Sequence, residues 1–248
     1  MSELFNFILY KPLFNALVFL YETVSFYDLG IAIIILTLIV KFALYPLSQK
    51  AIKSHKEMFK IQPQIREIQE KYKNNKEEQV KKTMELYKEK GVNPFSGCLP
   101  ILIQIPILIA LYWVFLKGFE PETMNNLYSF IKAPESINYM FLGFVDISQK
   151  NFYIALIAGI FQYIQSKSML KQQLKSRREA KNKNTANSKM DDISLAVSKQ
   201  MTYFMPIITV AVAASLHAGI ALYWATTTIF SAGQQWYVFK KKQNEEEK

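Results

Sequence analysis

The sequence holds one cysteine, Cys98, and two histidines, His55 and His217. A lone cysteine excludes an intrachain disulfide and leaves the redox compartment unread. The two histidines are far apart and neither stands in metal-ligand spacing, so no metal site is expected. There is no glycine-rich phosphate loop, nucleophile elbow or catalytic carboxylate pair. No cofactor is therefore expected, and the chain reads as a non-enzyme. Its long apolar stretches contain no Asp or Glu at all. That argues against a proton relay or an ion-coupled pump, which usually place carboxylates in the membrane. No basic segment precedes the first apolar residues, which start beside Glu3, so no signal peptide is expected.

Half of the 248 residues are hydrophobic, and the formal net charge is +10. The apolar residues fall in long blocks, with the charges in separate blocks between them. Water-soluble helices interleave the two kinds, so this segregation marks a membrane protein. The Lys/Arg excess lies in loops beside the apolar blocks, which fits the positive-inside rule better than specific nucleic acid binding.

Along the chain, residues 1–26 read as an N-terminal interfacial amphipathic helix, interrupted near Lys11-Pro12. Five spans follow at roughly 29–49, 98–117, 150–167, 201–215 and 219–239; the first has about the length a hydrocarbon core of about 30 Å needs, and the third, apolar from roughly 152 to 165, is short for a full crossing. Between the first two lies a polar segment, 53–90. Met58, Ile61, Ile65, Ile68 and Tyr72 step by three and four in its first half, and Val80, Met84 and Tyr87 in its second. The pattern predicts a two-helix hairpin with an apolar seam. A second polar loop spans 168–200, and its centre, Lys181 to Asn187, reads as disordered. Residues 240–248 form a basic and acidic tail. The hairpin, the second polar loop and the tail are Lys/Arg-rich, whereas 117–151 and the turn 215–219 are not. Five spans then alternate consistently with the N-terminus outside and the C-terminus in the cytoplasm.

Lys41 stands out because it lies inside the first span. If that span ends near Gln49, Lys41 is about 12 Å deep at the usual helix rise. A charge there costs roughly 2.5–3.5 kcal/mol on insertion scales. One reading is a snorkelled lysine in a thinned bilayer; the other, preferred here, is a charge facing a water-filled cavity. Gln104, Gln162, Gln165 and the threonines 226–228 could line such a cavity, or could instead join helices by hydrogen bonds. The pairs Tyr223-Trp224 and Trp236-Tyr237 flank the fifth span and read as an interfacial aromatic belt, which suits Trp236 well and is also open to Trp224.

From about residue 26 to 239 the chain resembles the YidC/Oxa/Alb family of membrane protein insertases. The resemblance rests on Gly30 to Lys41 with Tyr45-Pro46-Leu47, and most specifically on Gly91-Val92-Asn93-Pro94, Gly97-Cys98-Leu99-Pro100 and Gln104-Ile105-Pro106. Ala221-Leu222-Tyr223-Trp224 and Gln234-Gln235-Trp236-Tyr237 complete it. It implies an all-α, multi-pass protein of the bacterial inner membrane, with a five-span insertase core and a cytoplasmic helical hairpin. It also implies a hydrophilic groove, open to the cytoplasm and to lipid, that takes polar segments of nascent membrane proteins and releases their hydrophobic helices into the bilayer. Lys41 occupies the place of the family's usual arginine and supplies its charge, though not the planar fork. Gln165, in Ile164-Gln165-Ser166-Lys167, and Trp224 match other groove positions. The hairpin, with Met58, Ile61, Ile65, Met84 and Tyr87 on its seam, would recruit substrate. Ribosome and Sec translocon are the further partners implied. A small-solute or anion channel or transporter is the alternative, against which the long hairpin and the absence of an inverted repeat both speak.

Overall fold

A computed structural model of the chain describes residues 3–93, 99–117, 119, 121–181 and 189–246. The motif residues 94–98 and the segment 182–188, read as disordered, lie outside the described residues. Apart from turns and loops, the described residues are helical but for one ribbon of two two-residue strands, so the fold is all-α.

The first helical stretch runs as α1 (Glu3–Phe5), a π-helical turn (Asn6–Tyr10) and α2 (Lys11–Thr23). Pro12 falls in the first turn of α2. It has no N–H, and its ring crowds the carbonyl four residues back, so the turn before it widens instead of breaking. Lys11-Pro12 thus does not interrupt the helix. The stretch Glu3–Thr23 is long and apolar enough to cross a membrane. Phe14, Leu17 and Val18 on it are fully buried in the main core.

Next come α3 (Leu29–Ala43) and α4 (Tyr45–Lys71), separated at Leu44. Pro46 explains the separation, because it suits a first turn but cannot continue a helix from before it. Lys41 therefore stands in the last turn of α3, not in mid-helix as the unbroken span 29–49 implied. The other elements are α5 (Lys76–Glu89), α6 (Leu99–Lys117), α7 (Pro121–Met124), β1 (Met140–Phe141), β2 (Val145–Asp146), α8 (Phe152–Lys181), α9 (Lys189–Ser215) and α10 (Ala218–Glu246). The strands pair antiparallel, Met140 with Asp146 and Phe141 with Val145.

The chain divides into two compact units. The first comprises Met1–Tyr45, Ile101–Gln162 and Pro206–Ser231; the second comprises Pro46–Pro100, Tyr163–Met205 and Ala232–Lys248. The first holds the main core, where Leu29, Ala32 and Ile33 of α3 meet Val114 of α6, Ala155 of α8 and Ala221 of α10. Its outward faces carry Ile39, Phe42, Leu102, Ile105, Ile157, Ile160 and Ile207, all exposed. So much exposed apolar surface suits a lipid surround.

Among the described residues, two helices are long and apolar enough to cross a membrane by themselves, Glu3–Thr23 and Leu195–Ser215. A third counts if the bent pair Leu29–Ala43 and Tyr45–Ser54 is taken as one span, and Leu102–Lys117 is a shorter apolar helix. The apolar starts of α8 and α10 run on without a break into Lys- and Gln-rich turns. That dilutes their hydrophobic length, and a short apolar segment needs local bilayer thinning or snorkelling to span.

Close helix approach in the first unit depends on small residues. A Cβ at Gly159 of α8 would overlap Val210 of α9. Gly159→Leu is expected to force the two helices apart at a cost of about 1–3 kcal/mol, the usual range for overpacking. Thermal unfolding in detergent micelles checks this, with Gly159→Ala losing less.

Candidate functional site

Lys41 is half-buried at the C-terminal end of α3. Its Nζ donates to Oε1 of Gln104 on α6 at 3.1 Å. The Gln104 amide in turn donates to the hydroxyl of Tyr223 on α10. Tyr223 is only 2% exposed. Three helices are thus joined by one polar chain that begins with an ammonium. Two features lower the cost of that charge. The negative end of the α3 macrodipole lies at its last turn, and the Gln104 carbonyl replaces a hydrating water. A half-buried cation held by a neutral acceptor keeps most of its positive field for an incoming group.

The structure brings together Lys41 and Gln104 of the sequence-predicted residues and adds Tyr223, which sequence reasoning left as one of a pair of belt aromatics. Trp224 is half-buried and packs against the main core. Gln162 is half-buried on α8 in the same unit, while Gln165, also half-buried, belongs to the second unit. Two of the three threonines behave differently from either sequence reading. Thr226 donates to the Leu222 carbonyl at 2.8 Å, and Thr228 to those of Trp224 and Ala225 at 3.0 and 2.9 Å. Both bond back to their own helix.

In the hairpin, Asn75 caps α5 by accepting from the Glu78 amide at 3.1 Å. Its seam holds Ile61, Ile65, Leu86 and Val92, with Met58, Ile68 and Tyr87 packed against them. Val80 and Met84 are not on it: they are 60% and 45% exposed. Gln79 takes the inward place one position before Val80 and donates to the Gln69 carbonyl at 2.8 Å. The true inward set on α5 steps 79, 83, 86 and 87, a stripe one position off the predicted one.

The loop 117–151 is pinned by three polar residues that sequence reasoning missed. Asn15, buried in α2, donates to the carbonyls of Lys11 and Asn126 and accepts from the Tyr128 amide at 2.6 Å. The Tyr21 hydroxyl donates to the Ser136 carbonyl and accepts from the Asn138 amide. Asp28 caps α3 through the Ile31 amide at 3.0 Å and takes the Leu142 amide at 2.7 Å. Burial, with the Asp146 and Tyr21 side chains nearby, pushes the Tyr139 phenol in this loop up from its ordinary value. A Cβ at Gly30 would strike the Phe141 ring, so glycine is what lets the ribbon seat on α3. An asparagine within an apolar helix was the available signal, since a buried amide needs partners.

The sequence pattern of the family described as "60Kd inner membrane protein" matches residues 19–246. A Fusobacterium nucleatum protein named "Membrane protein insertase YidC" is 33% identical over 235 residues, covering 94% of this chain and 98% of its own length. A Francisella tularensis subsp. novicida protein of the same name is 36% identical over 217 residues, as is one from Francisella tularensis subsp. tularensis. Those alignments cover 86% of this chain, which spans about a third of the Francisella proteins' length (33%).

Proposed function

This chain belongs to the 60Kd inner membrane protein family, and we propose that its Lys41–Gln104–Tyr223 chain is the polar centre at which it works as a membrane protein insertase. The observation that carries this reading is the ammonium hydrogen-bonded among apolar helices. A polar or acidic segment of a nascent membrane protein meets a positive field and hydrogen-bonding partners there, and does not cross bare hydrocarbon. Its hydrophobic helix then moves into lipid along the exposed apolar faces of α3, α6 and α8.

The energetics need no nucleotide. Twenty residues that each favour the membrane by roughly 0.3–0.6 kcal/mol gain about 6–12 kcal/mol, whereas one acidic residue costs roughly 2.5–3.5. A strongly apolar substrate helix therefore carries one or two acids unaided, and the lysine matters most when the outer segment holds more. The proposed topology has five core spans, the N-terminus outside, and the hairpin, the 168–200 loop and the C-terminus in the cytoplasm. Ribosomes and the Sec translocon are the partners proposed on that side. An anion channel is not favoured, because the relatives are named insertases and a channel gives the hairpin no role.

Photo-crosslinkers at positions 104, 165 and 224 test this reading with a ribosome-bound nascent membrane protein. Adducts are expected at all three. Crosslinking confined to the loop 117–151 rejects the polar centre as the substrate's path.

A further inference from the structure

In the second unit, the polar ends of α8 and α10 enclose a cleft of about 690 Å³. Lys171, Lys175 and Arg178 line it from α8, and Trp236, Phe239 and Lys240 from α10. Residues 171, 175 and 178 recur at helical spacing, so the three cations form one stripe along one face. Lys240 adds a fourth from the opposite wall, its Nζ 4.9 Å from the centre of the Trp236 ring. Phe239 is buried in a small apolar cluster with Ile52 and Val238, whereas Trp236 is 62% exposed at the mouth.

We propose that this cleft binds the phosphate headgroup of an anionic phospholipid. Three features converge on that ligand. Basic side chains from both walls, Lys171 and Arg178 on one and Lys240 on the other, give the concave surface a positive field that an anion complements. The volume lies in the range of small-molecule pockets, large enough for a phosphate and its glycerol. The lining is also amphipathic, with an indole at the mouth and a phenyl beneath, where a lipid's apolar part begins. The height is right as well. α8 leaves its apolar stretch at Gln165, and Lys171 follows about 9 Å further along the axis. Trp236-Tyr237 is the last aromatic pair of α10 before Lys240-Lys241-Lys242, at the headgroup level that such residues favour. A nucleic acid backbone is met by an extended, water-facing basic surface, and has less use for the apolar floor. The proposal rests on these helices leaving the membrane here, not on the insertase reading.

The test uses the full chain in phosphatidylcholine vesicles containing phosphatidylglycerol, with acyl chains of one lipid or the other brominated. Fluorescence quenching of Trp236 is read as the difference between wild type and Trp236→Phe. Brominated phosphatidylglycerol is expected to quench at several-fold lower mole fraction than brominated phosphatidylcholine. The triple variant Lys171→Gln, Lys175→Gln, Arg178→Gln should reduce that preference at least about fivefold, since one basic residue near an acidic surface is worth roughly that factor. Lys73→Gln, Lys81→Gln, Lys88→Gln removes the same charge from the hairpin and should leave it intact. Equal quenching by the two lipids in wild type overturns the proposal even if the first triple variant does not fold. So does an equal loss in the hairpin variant, which would mean bulk charge alone. Occupancy by inorganic phosphate without lipid preference assigns a free anion and also overturns it. Binding of an RNA oligonucleotide that the first variant abolishes, with lipid preference unchanged, reassigns the cations to nucleic acid. Insertion is not a readout here, so failure leaves the insertase reading standing.

Discussion

Lys41→Ala is expected to slow insertion of substrates with acidic outer segments by roughly tenfold, while Lys41→Arg stays near wild type. The factor follows from the field that the ammonium keeps. At about 4 Å, a charge pair is worth around 1 kcal/mol in bulk water and around 4 at an effective dielectric near 20. A cavity that admits water falls between these limits, and 1.4 kcal/mol is a factor of ten. Alanine also leaves the Gln104 carbonyl without the donor it has now, which could loosen the joint between α3 and α6. Lys41→Met keeps the apolar stem but removes the charge and the Gln104 donor together, so it separates lost packing from the lost polar head. Protease protection of newly made proteins in reconstituted vesicles reads the outcome. If the charge acts on substrate, alanine and methionine fall together for acidic outer segments and spare neutral ones. An equal loss on both substrate kinds would make Lys41 a packing residue instead.

That site was half legible in the sequence, for a definable reason. Lys41 and Gln104 announce themselves because a charge or an amide in an apolar run is costly and asks for a partner. Tyr223 does not, since a tyrosine beside a tryptophan near a turn is ordinary belt chemistry, and its partner is more than a hundred residues away. The depth of Lys41 was read from a continuous span, whereas Pro46 ends α3 at Ala43 and puts the lysine at a helix terminus. The hairpin shows a different limit. Val80, Met84 and Tyr87 keep perfect helical spacing, yet Leu86 and Gln79 face inward. Two adjacent stripes on α5 have similar character, and only the partner helix selects between them. At the N-terminus, Lys11-Pro12 looked like an interruption on paper, but one π-helical turn absorbs it. The loop 117–151 carries no periodicity at all. Its order comes from side chains elsewhere reaching its backbone, which is information a local pattern does not hold.

Asn15 offers the largest expected effect on that loop. Its side chain is 1% exposed and meets two carbonyls and one amide, two of them in the loop. Asn15→Ala removes these bonds and leaves the Tyr128 amide and the Asn126 carbonyl with one partner fewer, in a place water reaches poorly. Each buried group left unpaired costs about 1–3 kcal/mol, so a loss of roughly 2–4 kcal/mol is expected. Asn15→Leu restores volume but no partner, and should fare no better. Asn15→Asp keeps the acceptor for Tyr128 while burying a charge, which is worse still. Tyr21→Phe sets the scale from the other side. It gives up a 3.3 Å bond to Ser136 and the acceptor for Asn138, for a loss nearer 1 kcal/mol. Amide exchange of the intact protein separates these cases, because the Asn15 variants should release protection around 126–131 while the Tyr21 variant acts around 136–139. If Asn15→Ala instead lowers protection evenly across α2, α3 and α6, the asparagine supports the whole bundle and the loop is not its particular charge. Retained protection at Tyr128 would mean that this loop is held by apolar contacts from Leu127 and Ile131, which pack against the main core.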